Sequence, residues 1–276
     1  MWFVRKKGIL FDAAGLTDVG LVRTNNEDSF FLLDNNESGE QGAKSYGIYI
    51  ISDGMGGHEA GEVASEIATR IISETLLAYL KSESKSEWES LSSSQLVEKA
   101  IVKANEEIFK MAATKPELHD MGTTVTVGLR LYKDLYIGHV GDSRAYLVRK
   151  NKMKQLTEDH SLIAKLLKEK MIKPEEVKTH PDRGKILRCL GVSENVKVDS
   201  YNPDGTEHKL VLQPGDSLLF CSDGLTGYAS DREILNCLKK QDDAGIICQS
   251  LVSLANSNGG GDNISVIVVK LKSEKK

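Results

Sequence analysis

Apolar and polar positions follow two rhythms along the chain. Between residues 16 and 33, two strand-like pieces, around Gly20-Leu21-Val22 and Phe30-Phe31-Leu32-Leu33, flank the polar segment Arg23-Thr24-Asn25-Asn26-Glu27-Asp28. After a loop over 34–45 rich in Asn, Gly and Glu, residues 46–51 read as a strand. The spacing then turns helical: Val63, Ile67 and Ile71 with Ala64, Ala68 and Ile72 make an apolar stripe. It predicts a helix over about residues 58–80, with Glu59 and Glu62 in a first turn where acids suit the helix dipole. A serine- and charge-rich connector over 81–94 leads to a second helix at about 95–113, faced by Leu96, Ala100, Ala104, Ile108 and Met111.

The centre is β-rich, with strands expected at 123–131, 135–140 and 145–148. Thr124, Thr126 and Gly128 alternate with Val125, Val127 and Leu129, the period of a strand with one buried face. The turns at 132–134 and 149–152 are short, which requires antiparallel pairing. Residues 159–191 change character, with a short helix around Leu162 to Leu167, a second start at Pro174-Glu175-Glu176 and a break at His180-Pro181. This inserted helical piece is the candidate for a mobile flap. Strands return at 196–200, 209–212 and 217–221, then helices at 231–240 and 244–256, then a last strand at 264–269. Bunched strands and paired helices predict an α+β layered domain with largely antiparallel sheets.

Chemistry gathers where apolar runs meet glycine and an acid. Residues 50–61 end a β-branched run in Asp53-Gly54-Met55-Gly56-Gly57-His58, and Ser222-Asp223-Gly224 closes another run the same way. Gly141-Asp142 and Gly261-Asp262-Asn263 follow the same logic. Four glycine-flanked carboxylates at strand edges suggest one acidic site drawn from distant parts of the chain, the kind that hard divalent cations choose. Asp204-Gly205 and Pro214-Gly215-Asp216 sit in polar surroundings and read as ordinary turns. In a two-metal site a bridging carboxylate spaces the ions, and Asp53 is the choice for it, with the Gly54 carbonyl as a further ligand and Asp223 and Asp262 completing the set. Arg23 offers a planar fork for a phosphate dianion. Glu27 and Asp28 are read as holding metal-bound waters, and Asn263 joins them as support. The plainer reading of Arg23 is a surface ion pair with Glu27 or Asp28.

Composition changes this picture little. The chain of 276 residues is 40% hydrophobic and 28% charged, with a net charge of −4. No basic excess points to nucleic acid or to an anionic membrane. Cys189, Cys221, Cys237 and Cys248 lack paired spacing, so reduced thiols in a cytoplasmic protein are expected, not zinc ligation. The amino end does not read as a secretory signal, and no run is long enough to span a membrane. No P-loop is present.

The set Arg23-x-x-Asn26-Glu27-Asp28, Asp53-Gly54-Met55-Gly56-Gly57-His58, Gly122-Thr123-Thr124, Gly141-Asp142-Ser143-Arg144, Ser222-Asp223-Gly224-Leu225 and Gly261-Asp262-Asn263-Ile264 resembles the metal-dependent protein phosphatase family of the protein phosphatase 2C type, and its bacterial branch most closely. The motifs run in the family's order from about residue 16 to 271. The resemblance implies an α-β-β-α sandwich forming a single catalytic domain over 9–272, with a flap at about 159–191. It implies a centre of two Mn²⁺ or Mg²⁺ ions and hydrolysis of phosphoserine and phosphothreonine by a metal-activated water, without a phosphoenzyme. Carried over by motif, Asp53, Gly54, Asp223 and Asp262 match metal ligands, Arg23 the phosphate-binding arginine, and Asp142 a residue linked to a third metal. The expected partners are phosphoproteins made by a Ser/Thr kinase in signal transduction, met by a cytoplasmic monomer. Many eukaryotic relatives carry histidine, a proposed general acid, where this chain has Met55, which leaves the proton donor open; His58 reads as structural. Two rival readings are a catalytically weak regulatory module of the same fold and a metallophosphatase for small phosphate esters.

Overall fold

The computed structural model describes residues 11–36, 45–56, 60–81, 91–201, 209–240 and 242–272. One five-stranded sheet runs β1 (Phe11–Asp18), β12 (Ile264–Leu271), β11 (Ser217–Cys221), β7 (Arg144–Arg149), β8 (Lys152–Gln155). The other runs β10 (Leu210–Val211), β6 (Asp134–Val140), β5 (Val125–Leu131), β3 (Tyr46–Met55), β2 (Asp28–Asn35). β4 (Gly122–Thr123) pairs with β3, and β9 (Asp199–Ser200) with β6. The ladders are antiparallel.

Three apolar clusters stack the layers. Helices α1 (Ala60–Lys81) and α2 (Ser93–Thr114) bury Ile67, Ile72, Leu76, Ile101 and Ile108 against Ile48, Ile50 and Val127 of the second sheet. Helices α5 (Asp231–Leu238) and α6 (Ala244–Ser257) cover the first sheet through Ile234, Ile247 and Leu251. Between the sheets lie Tyr49, Ile51, Leu147, Phe220 and Ile267. Because strand side chains alternate between faces, Ile50 and Ile51 serve different layers of this α-β-β-α sandwich.

Several local expectations need correction. Gly20-Leu21-Val22 is a turn, with Gly20 at φ +80; the strand lies upstream, at Phe11–Asp18. The turn expected at 149–152 is Lys150-Asn151, both at positive φ, as a tight two-residue hairpin demands; the strand that follows it, β8, is not among those expected. The strand expected at 196–200 shrinks to β9, and that at 209–212 to β10. In the insertion, α3 (Leu162–Lys168) forms as expected, while Pro174 opens a 3₁₀ turn over Pro174–Thr179 instead of a second α-helix. The expected helix start at His58 and Glu59 lies outside the described residues.

Candidate metal centre

The acids converge at one end of the sandwich, where the sheets open. Asp53 and Asp28 stand opposite each other on β3 and β2. Below them Ser222, ahead of the short helix α4 (Asp223–Thr226), donates its hydroxyl to Asp28 Oδ2 at 2.8 Å. Thr124 fixes the backbone of Asp53: its hydroxyl accepts the Asp53 N–H at 3.1 Å and its own N–H donates to the Asp53 carbonyl at 2.9 Å. Gly54 must be glycine, since a Cβ there would stand 2.1 Å from the Gly61 carbonyl oxygen and 2.6 Å from that of Glu27. Gly224 is held as tightly, 1.9 Å from the Asn263 carbonyl oxygen by the same construction.

Asn263 clasps the polar loop after β1 to this end of the fold. It accepts the Glu27 N–H at 2.8 Å and donates to the carbonyls of Val19 and Asn25. The loop thereby brings Arg23 over Asp262. Arg23 Nε and Nη2 each lie 3.0 Å from an Asp262 oxygen, so the pair is two-pronged. The ion pair considered for Arg23 from sequence thus exists, with Asp262 as its partner in place of Glu27 or Asp28. These are the outer charges of the crevice, 49% and 33% exposed.

Electrostatically the crevice is overloaded with one sign. Burial pushes Asp28 up to about 7, and Asp223 and Asp262 add to it. Asp142 is pushed up to about 7 by burial and then by Asp223 and Asp159. Burial, Asp28, Asp223, Asp142 and Asp262 hold Asp53 well above the usual carboxylate range. Asp223 is raised by burial and Asp262, against a hydrogen bond with Asp53 and the cations Arg183 and Arg23. Glu27 is raised by burial and lowered by Arg23. Desolvation and like charge both disfavour ionisation here. Asp28 Oδ1 and Asp142 Oδ1 are buried with no hydrogen-bond partner. Asp142 does not pair with Arg144, whose guanidinium is spent on Asp159 at 2.6–3.0 Å.

This donor set of oxygens fits hard divalent cations, although among the described residues no three of these acids already surround one ion-sized point. The buried oxygens of Asp28 and Asp142 that have no hydrogen-bond partner are donors such a cation could engage.

A model of the family described as Protein phosphatase 2C matches residues 13–170. The chain belongs to the protein phosphatase 2C family. As a protein phosphatase 2C it is 37% identical over 258 residues to the serine/threonine phosphatase stp of Listeria innocua, covering 92% of this chain and 93% of that protein. The fold matches the Mycobacterium tuberculosis serine/threonine phosphatase PstP with a TM-score of 0.75 at 32% identity, over 95% of this chain and 99% of that one. A structure of the PstP catalytic domain in complex with two manganese ions matches at TM-score 0.76 and 30% identity, over 95% and 99%.

In this protein phosphatase 2C the four glycine-flanked acids expected from sequence face one crevice with Asp28, near enough that each of the others raises the Asp53 pKa. Glu27 lies beside them, its carboxyl carbon 2.9 Å from where a Gly61 Cβ would be. Sequence reading missed Arg183, in the insertion, whose Nη2 donates to the Gly227 carbonyl at 3.2 Å and whose charge lowers Asp223. No local pattern announces it. It also gave no individual role to the hydroxyls of Thr124 and Ser222, although both stand inside the family motifs.

Proposed function

We propose that this chain is a metal-dependent serine/threonine phosphatase that hydrolyses phosphoserine and phosphothreonine in proteins, with residues 9–272 as one catalytic domain and 159–191 as its flap. Asp53, Gly54, Asp223 and Asp262 would hold two Mn²⁺ or Mg²⁺ ions, and Asp142 would serve a third. Such ions supply a nucleophile near neutral pH and charge stabilisation for in-line displacement at phosphorus. Arg23 binds the phosphate dianion through the same two-pronged face it now offers Asp262. Ser222 and Asn263 keep Asp28 and the loop carrying Glu27 in place, so the acids cannot relax away from one another. With Met55 in place of a proton-donating side chain, the leaving oxygen takes its proton from water held near Asp142. The observation that carries this reading is the crowding of buried carboxylates with raised pKa values around Asp53.

The same reading places the enzyme opposite a Ser/Thr kinase in signalling, as a cytoplasmic monomer. Four free cysteines accord with a reducing compartment. Among the described residues no helix is long and apolar enough to cross a membrane.

The test is turnover of a phosphothreonine peptide and of p-nitrophenyl phosphate with Mn²⁺, with Mg²⁺ and with excess EDTA. Activity should appear with metal and vanish with chelator. Full activity in EDTA would refute the metal assignment. Tight Mn²⁺ binding without turnover would point to the regulatory module.

A further inference from the structure

Behind the acid crevice a buried imidazole grips the turn that carries Asp142. The Gly141 N–H donates to His160 Nδ1 at 2.9 Å, and the His160 backbone N–H donates back to the Gly141 carbonyl at 2.7 Å. The N–H and the carbonyl of Gly141 are therefore both held by His160, one by its ring and one by its backbone. Because a backbone N–H can only donate, Nδ1 is the acceptor and the ring proton sits on Nε2. That proton faces Asp199 Oδ2 at 3.1 Å. Asp199 Oδ1 in turn accepts from Arg188 Nη1 at 2.6 Å. His160 begins the insertion and Arg188 lies near its end, and the base between them is closed by Leu187 N–H to the His160 carbonyl at 2.7 Å.

Gly141 has little freedom of its own to absorb a change. Its φ of +116 suits glycine alone, and a Cβ would stand 2.4 Å from Thr124 Cβ. On the far side of the turn, Ser143 Oγ and Thr124 Oγ1 lie 2.8 Å apart, and Thr124 is the residue that fixes Asp53. His139 packs its ring on His160, centroids 4.8 Å apart, so the imidazole cannot swing. The turn is clamped between the acid site in front and the insertion behind.

We propose that His160 is a positioning residue for Asp142: with Asp199 and Arg188 it forms a strut through which the 159–191 insertion sets where the Asp142 carboxylate stands. The proposal rests on the phosphatase reading, because it assigns Asp142 a part in turnover. Nothing in it requires His160 to touch substrate or metal, or to titrate.

A double-mutant cycle separates a strut from a mere core residue. Wild type, Asp142→Ala, His160→Ala and the double variant are assayed on a phosphothreonine peptide at saturating Mn²⁺, with thermal unfolding recorded for each. His160→Ala should lower kcat about tenfold while KM moves less than about twofold, and should cost almost nothing further once Asp142 is already alanine. His160→Asn, whose Oδ1 replaces Nδ1 as acceptor, should restore most of kcat; His160→Gln, whose amide reaches the Nε2 position, should not. Arg188→Ala acts at the part-exposed end of the strut and needs no refolding of the core. Its smaller kcat loss should likewise vanish in the Asp142→Ala background, which keeps the proposal testable if His160→Ala fails to fold. Additive losses in the cycle, or equal activity in the Asn and Gln variants, would overturn the strut. A folded wild-type enzyme inactive at saturating Mn²⁺ would overturn the phosphatase reading beneath it.

Discussion

Two buried charged regions of this molecule are built on opposite rules. Toward the far end of the second sheet, Arg130 is fully buried and completely answered: Nη2 meets Asp34 at 3.1 Å, Nε meets the Tyr49 hydroxyl at 3.1 Å, and Nη1 meets Ser45 Oγ and the Tyr132 carbonyl. Its guanidinium lies 3.7 Å over the Phe11 ring. Arg149 takes Asp216 through two bonds, Nε and Nη2 each to one carboxylate oxygen. In the crevice, Asp28, Asp53, Asp142 and Asp223 are instead gathered with their own kind, and two of their oxygens have no partner at all. A buried charge that is paired serves the fold. Buried like charges that raise one another's pKa are costly to it, and it is these acids that the proposed function assigns to the metals.

The largest difference should appear on activity. Asp53→Asn removes the carboxylate at the centre of the crowd and should cost several orders of magnitude in kcat, with the protein folded and at least as stable as wild type, because one repelling charge is gone. Loss of stability in place of activity would erase the contrast between the regions. Arg130→Ala is the mirror experiment. It strands Asp34 and should destabilise by about 3–5 kcal/mol, read as a drop in Tm, while kcat of the folded fraction stays near wild type.

How much of each region the sequence declares follows from this difference. Four of the crevice acids, Asp53, Asp142, Asp223 and Asp262, are marked by a glycine beside them, which at Gly54 and Gly224 lets backbones pass closely, and glycine is visible in the chain; Asp28 carries no such mark. The helices are visible through their apolar stripes. The Arg130–Asp34 pair joins residues 96 apart, and neither carries any local sign of its partner; Asp34 reads as the start of a loop. β1, Phe-Asp-Ala-Ala-Gly-Leu-Thr-Asp, has no alternation to betray it and is held by eight paired positions on β12. β8, Lys-Met-Lys-Gln, is a polar edge strand. Partners distant in sequence, not local pattern, make those elements.

Stability against pH sharpens the comparison without mutating anything. Asp28 and Asp142 have folded pKa values raised to about 7, from 3.8. For a raised carboxyl the stabilising contribution is present below the unfolded value and lost as pH rises through the folded one. Asp53 and Asp223 are raised as well. In EDTA, stability should therefore fall progressively from about pH 4 to about pH 7, where Asp28 and Asp142 finally ionise in the folded state. The buried His139 and His160, both lowered, contribute an opposing slope from fewer groups, which fades as the unfolded imidazoles lose their protons around pH 7. Saturating Mn²⁺ should flatten the curve. A metal-free Tm that is level across this window would show that the crevice acids do not burden the fold.

The smallest effect concerns Arg23, which belongs to both regions at once: a paired arginine, yet paired with a crevice acid. Its bond to Asp262 is half exposed, and exposed ion pairs contribute only about 0.2–1 kcal/mol. Arg23→Ala should therefore change Mn²⁺ affinity less than about fivefold, and in the direction of tighter binding, since a competing cation leaves Asp262. A two-pronged contact to a phosphate dianion is charge-assisted and worth more, so KM for a phosphothreonine peptide should rise about tenfold. If the contact strengthens as charge shifts during displacement, kcat falls with it. The ratio of the two effects decides the assignment. A large change in metal affinity with KM unmoved would make Arg23 a structural counter-ion of Asp262, on the same footing as Arg149 with Asp216. A raised KM with metal binding nearly intact would make the observed pair the resting partner of a residue whose working partner is phosphate.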